Sequence, residues 1–125
     1  MILSVFISLL LSQSKSMATT SGEIVTVDRI AVEKAISKHN AVIIDARHAF
    51  QFELGHIPFA LNIPYNTKNL NHIVQKHSLK NKWLIIYCSS VNCNAAEILA
   101  EKLLELGCKN VRVYPGGWEE WKTVK

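Results

Sequence analysis

Three features of this sequence predict an α/β domain with a five-stranded, mainly parallel sheet and helices on both faces. Short β-branched runs alternate with amphipathic segments from Ile24 onward. Two of the runs are apolar throughout, as strands buried on both faces must be. Turn or capping residues stand at most of the junctions between them.

The elements follow in order. Ile24-Val25-Thr26-Val27 reads as a brief first strand, and Asp28 as the N-cap of a helix carrying Ile30, Ala31, Lys34, Ala35 and Ile36. Ala41 to Ile44 is a continuous apolar run ending at Asp45 and makes the second strand. A short helix over Ala49 to Leu54 is stopped by Gly55, and Ala60 to Ile63 forms a third strand ended by Pro64. Leu70 to His77 is a helix with Leu70, Ile73 and Val74 on one side. Trp83-Leu84-Ile85-Ile86-Tyr87 is the strongest strand. The clearest helix, Ala95 to Leu106, lines one face with Leu99, Leu103 and Leu106. Asn94 and Glu97 form a capping-box pattern at its start, and Gly107 supplies the left-handed residue at its end. Val111 to Tyr114 is the fifth strand, followed by a closing helix across Trp118 and Trp121, whose indoles are expected in the core.

A chain of 125 residues holds one domain with one core. Apolar residues make up 49% and charged residues 19%, which excludes a disordered tail. The net charge of +4 comes from scattered lysines and arginines, not from a basic patch interleaved with aromatics. No nucleic-acid partner is therefore expected. Ile2 to Leu11 is almost wholly apolar yet too short for a stable membrane span. It has the form of a signal-peptide core, with Ser14-Lys15-Ser16 as a cleavage region, but no Lys or Arg precedes it. Met17 is equally a translation start. The first start implies an exported or periplasmic protein, the second a cytoplasmic one. Residues 1–20 are accordingly set apart as a leader, and residues 21–125 as the domain.

The three cysteines are Cys88, Cys93 and Cys108, an odd number that argues against a secreted disulfide framework. The five histidines lie apart from them, so no zinc-ligand spacing exists, and neither metal nor cofactor is expected. Reactive thiol chemistry is what remains. Cys88 stands at the carboxyl end of the strongest strand, where open α/β sheets form their active sites. The N-terminus of the next helix faces back toward it, with unpaired N–H groups and partial positive charge that stabilise a thiolate. Ser89, Ser90 and Asn92 are small and polar, which suits a backbone curled into a nest of donors. An inert buried thiol is the alternative for Cys88. Cys108, just beyond Gly107, reads as a small buried hydrophobe.

Three ordered segments carry a resemblance. The first is Ile44-Asp45-Ala46-Arg47 with Phe52 and Gly55-His56-Ile57-Pro58, and the second is Leu61-Asn62-Ile63-Pro64. The third runs from Ile85-Ile86-Tyr87-Cys88 through the helix to Gly107 and Tyr114-Pro115-Gly116-Gly117-Trp118, closing with Trp121. Together they resemble the rhodanese-like family over Ile24 to Lys125. Phe59 stands where that family usually has Gly, and Gln51 where an acidic residue is common. The loop Cys88-Ser89-Ser90-Val91-Asn92-Cys93 ends in cysteine where many members have arginine.

The resemblance implies a sulfurtransferase. Cys88 takes a sulfane sulfur, holds it as a persulfide and passes it to a thiophilic acceptor. Ser89, Ser90, Val91, Asn92 and Asn94 form the substrate side of the loop, while Asp45 and Arg47 brace its neighbourhood. The implied partners are a small sulfur donor, such as thiosulfate or a persulfide, and a thiol or protein acceptor. Without the loop arginine there is no guanidinium fork for an anionic donor, so thiosulfate:cyanide activity is expected to be weak. Cys93 offers instead a resolving thiol close to Cys88; filling a small space is its alternative role. Two other functions stay open. One is a thiol–disulfide oxidoreductase or redox sensor using Cys88 and Cys93, and the other a catalytically quiet module that binds a protein partner. Phosphatase chemistry is disfavoured, because it uses a loop one residue longer and closed by arginine.

Overall fold

The structure is a computed structural model that describes residues 24–124. The leader expected over residues 1–20 lies outside the described residues. Helix α1 (Arg29–Lys38) leads to strand β1 (Val42–Asp45), then α2 (Ala49–Leu54) and β2 (Leu61–Asn62). After α3 (Leu70–Lys76) and a short 3₁₀ turn come β3 (Trp83–Tyr87), α4 (Ala95–Glu105), β4 (Asn110–Tyr114) and α5 (Gly117–Thr123). The sheet order is β2-β1-β3-β4, parallel throughout. Register is set by pairs such as Ile44 with Ile86 and Tyr87 with Tyr114.

Strand sequences and the two cores account for each other. Along β1, β3 and β4 successive side chains point to opposite faces. Ile44, Leu84, Ile86, Val111 and Val113 pack with Val74 of α3 and Leu99 and Leu103 of α4. Ile43, Ile85, Tyr87 and Tyr114 pack on the other face with Val32 and Ala35 of α1. Both faces are covered, so continuous apolar runs are what these strands require. Trp118 and Trp121 of α5 are half-buried against the second cluster. Trp121 also lies under the Arg29 guanidinium, 4.4 Å from its carbon to the ring centroid.

Two expectations need correction. The sheet has four strands, not five. Ile24–Val27 joins β4 through a single parallel bridge, Thr26 to Val113, with hydrogen bonds from Val27 N to the Val113 carbonyl (2.9 Å) and from Val113 N to the Val25 carbonyl (3.0 Å). Val25 is half-exposed, and Asp28 turns the chain into α1 at once, so no ladder extends. The capping box at α4 is also absent: the Asn94 side chain makes no cap bond, and one Glu97 carboxylate oxygen is buried without a partner.

The Asp28 cap does form, its carboxylate accepting from Ala31 N at 2.9 Å. Asp28→Ala is expected to cost about 1 kcal/mol of stability, read as a lower urea midpoint with unchanged m-value.

Candidate active site: a cysteine loop at the carboxyl end of the sheet

The loop from Cys88 to Asn94 joins β3 to α4 at the carboxyl ends of the strands, the face on which open α/β sheets bind ligands. Its shape follows from a few backbone bonds. Cys93 N donates to the Ser90 carbonyl (3.0 Å), closing a turn with Val91 and Asn92 at its tip. Asn92 N reaches the Ser90 Oγ at 3.4 Å. The Cys88 and Ser89 carbonyls accept from Trp118 N (2.9 Å) and Glu119 N (2.8 Å) in the first turn of α5. Among the described residues, the N–H groups of Ser89, Ser90 and Val91 have no backbone partner. Unpartnered backbone N–H groups of this kind can donate to an anion.

Gly117 makes the α5 contact possible. Its φ is +62°, and a Cβ there would sit 2.5 Å from the Cys88 carbonyl oxygen. Gly117→Ala must therefore strain its own backbone and push the loop away. A loss of about 1–3 kcal/mol is expected, with chemical-shift changes concentrated on Cys88 and Ser89 in amide NMR spectra.

Cys88 and Cys93 are joined as a disulfide, with their Cα atoms 6.3 Å apart. Cys88 is only 4% exposed, while Cys93 is half-buried. Ser89 and Ser90 are half-buried, Asn92 and Asn94 are exposed, and Val91 projects into solvent at 74% exposure. The loop thus brings together Cys88, Cys93, Ser89 and Ser90, and leaves Val91, Asn92 and Asn94 on its outer rim. Cys108 lies elsewhere, free and buried, with its thiol pushed up by desolvation.

Beneath the loop lies a buried polar network. Asp45 is 0% and Arg47 5% exposed. Arg47 Nη2 donates to Asp45 Oδ2 at 2.7 Å and to the Gly55 carbonyl at 2.7 Å, and Arg47 N donates to Asp45 Oδ1 at 2.9 Å. The Tyr87 hydroxyl donates to Asp45 Oδ2 at 2.5 Å and accepts from Ile57 N at 3.0 Å. Asn62 Nδ2 donates to the carbonyls of Asp45 (3.1 Å) and Arg47 (2.9 Å). Arg47 also faces the Trp118 ring, 5.4 Å from its centroid. The ends of β1, β2 and β3, the end of α2 and the start of α5 are therefore tied at one point. Tyr87, the residue before Cys88, carries that tie to the start of the loop.

Ionisation follows from these contacts. Burial alone would lower the Arg47 guanidinium, but the hydrogen-bonded Asp45 carboxylate outweighs it and holds the group above its ordinary value. Burial, then the Asp45 hydrogen bond and charge, push the Tyr87 hydroxyl well above the usual phenol range. Tyr87 and Arg47 thus keep their protons and act as fixed donors.

Tyr87, Gly117 and Asn62 carry this architecture; in the sequence they stand only within the motifs quoted above, with no role of their own. Tyr87 closes an apolar run and reads there as core. The Gly-Gly-Trp stretch before α5 was the available signal for Gly117. His56 follows α2, exposed and stacked on Phe52 with ring centroids 3.7 Å apart. Among the described residues, no group of three His, Cys, Asp or Glu side chains could hold a metal ion. No helix there is long and apolar enough to cross a membrane.

A parallel four-stranded α/β sheet with a cysteine loop at its carboxyl edge, braced by a buried carboxylate–guanidinium pair, defines a class of thiol-bearing domains. A model of the rhodanese-like domain matches residues 29–123, and the chain belongs to that family. It is 34% identical to a tRNA uridine(34) hydroxylase of Buchnera aphidicola subsp. Baizongia pistaciae, covering 69% of this chain and 28% of that protein. It is 33% identical to the 3-mercaptopyruvate sulfurtransferase of Escherichia coli K12, covering 70% of this chain and 38% of that protein. The chain thus spans well under half the length of these relatives. Among solved structures, the BH2092 protein of Bacillus halodurans superposes with a TM-score of 0.72 at 32% identity, covering 79% of this chain and 72% of that one.

Proposed function

We propose that the protein is a sulfurtransferase that carries sulfane sulfur as a persulfide on Cys88, with Cys93 as its resolving thiol. The observation that carries this reading is the pairing of the two cysteines within one loop at the head of α4. In the reduced protein the Cys88 thiolate attacks the outer sulfur of a persulfide donor. The donor's S–S bond breaks, its inner sulfur leaves as a thiolate, and the outer sulfur stays on Cys88. Loop N–H groups and the α4 dipole favour the anionic persulfide. A thiophilic acceptor then removes the terminal sulfur and regenerates the Cys88 thiolate. When no acceptor is present, the Cys93 thiolate attacks the inner sulfur of the persulfide, hydrosulfide leaves, and the Cys88–Cys93 disulfide forms.

The similarity to a 3-mercaptopyruvate sulfurtransferase supports the sulfur-transfer reading. The absence of any Arg or Lys from Cys88 to Asn94 favours a persulfide over an oxyanion donor. Cys93→Ser separates the steps. Loaded with a low-molecular-weight persulfide, it should still form thiocyanate from cyanide at about the wild-type rate, while acceptor-free hydrosulfide release falls by about tenfold or more. Unchanged hydrosulfide release in that variant would remove Cys93 from the mechanism.

The same disulfide favours a second reading, a thiol–disulfide oxidoreductase. Reversible oxidation dependent on both cysteines, with no sulfur gained from any donor, would select it.

A further inference from the structure

We propose that the oxidised loop is itself a sulfur-loading state whose substrate is hydrosulfide. The inference rests on Cys88 being the sulfur carrier, and it names the source of the sulfur. Three features of the loop converge on it. The Cys88–Cys93 disulfide is a two-electron oxidant held within the chain. Cys88 is only 4% exposed, which favours a nucleophile of one heavy atom over a bulkier thiol. The loop carries no charged side chain from Cys88 to Asn94, and a one-atom anion needs only the unpartnered N–H groups of Ser89, Ser90 and Val91.

Hydrosulfide attacks the Cys88 sulfur. A new S–S bond forms there, the Cys88–Cys93 bond breaks, and its electron pair leaves on Cys93. The products are a Cys88 persulfide and a Cys93 thiolate: the incoming sulfur is oxidised to the sulfane level and the disulfide is reduced. Cys93 is the better leaving group because it sits at the head of α4, eleven residues long, whose N-terminal N–H groups stabilise its thiolate. A thiophilic acceptor then takes the terminal sulfur. A further turn requires a disulfide oxidant of the small-molecule or protein class, which converts the two thiols back to the disulfide and departs as two thiols.

The test uses the full chain in two states, oxidised and reduced, each given a large excess of sodium sulfide without oxygen, which drives the Cys93 resolution step in reverse by mass action. Intact mass and peptide mapping follow, then cyanide. The oxidised protein should gain one sulfur and two hydrogens, mapped to Cys88, and release about one thiocyanate per chain; the reduced protein should gain nothing. Reduction of the disulfide without retained sulfur, or sulfur mapped to Cys93, would overturn the proposal. A parallel sample of Cys93→Ser, which cannot resolve a persulfide, receives a low-molecular-weight persulfide. If it loads Cys88 while the oxidised protein ignores sulfide, hydrosulfide capture fails and the sulfurtransferase reading stands; if neither loads, both fail. Cys93→Ser, which cannot form the disulfide, should load from the persulfide and not from sulfide.

Discussion

Cys88→Ser is expected to abolish sulfur loading and to lower sulfur transfer by more than about 10³-fold, to the level of the uncatalysed reaction. The argument is chemical. A serine hydroxyl is not ionised near neutral pH and cannot hold sulfane sulfur, whereas a thiolate at a helix N-terminus does both. Folding should survive, because Cys88 adds little volume at a 4%-exposed position and its carbonyl bond to Trp118 N belongs to the backbone. Unaltered far-ultraviolet circular dichroism beside absent thiocyanate production would be the expected result. Transfer retained within about tenfold of wild type would mean that the sulfur travels elsewhere.

The second large effect is on stability. Asp45→Ala is expected to cost about 3–5 kcal/mol, because it leaves the 5%-exposed Arg47 as an uncompensated buried charge. It also removes the acceptor of the Tyr87 hydroxyl. For a domain of this size the melting temperature should fall by roughly 12 °C or more. The double variant Asp45→Ala/Arg47→Met should recover a good part of that loss, since no charge remains buried. If the double variant were no more stable than Asp45→Ala, an unpaired charge would not be the cause. The same pair of measurements separates bracing from catalysis: Arg47 and Asp45 touch Tyr87 and Gly55, not the cysteine sulfurs.

Much of this was legible in the sequence, and for identifiable reasons. Buried parallel strands must be apolar on both faces, so Val42–Ile44 and Trp83–Ile86 announce themselves, and the cysteine at the end of the second follows in register. Asp28 and Gly107 mark helix ends because their side-chain or backbone requirements are local. The first strand was over-read: β-propensity at Ile24–Val27 is sufficient for a ladder, but an immediate helix cap leaves space for one bridge only. Asn94 and Glu97 have capping-box spacing, yet tertiary packing buries one Glu97 oxygen instead of turning it back to the helix start. The Tyr87–Asp45–Arg47–Asn62 network was hidden because it joins residues up to 42 apart through hydroxyl and amide groups that no periodicity encodes. The close approach of Gly117 to the Cys88 carbonyl is likewise a contact between distant segments, visible only when α5 is seen against the loop.

The most direct measurement is the intact mass of the reduced Cys93→Ser protein, in which the persulfide cannot be resolved to the disulfide, after exposure to a low-molecular-weight persulfide, followed by peptide mapping. The account predicts one added sulfur per chain, located on Cys88, and removed by cyanide as thiocyanate. A mass that never gains sulfur, or a sulfur found only on Cys108, would contradict it.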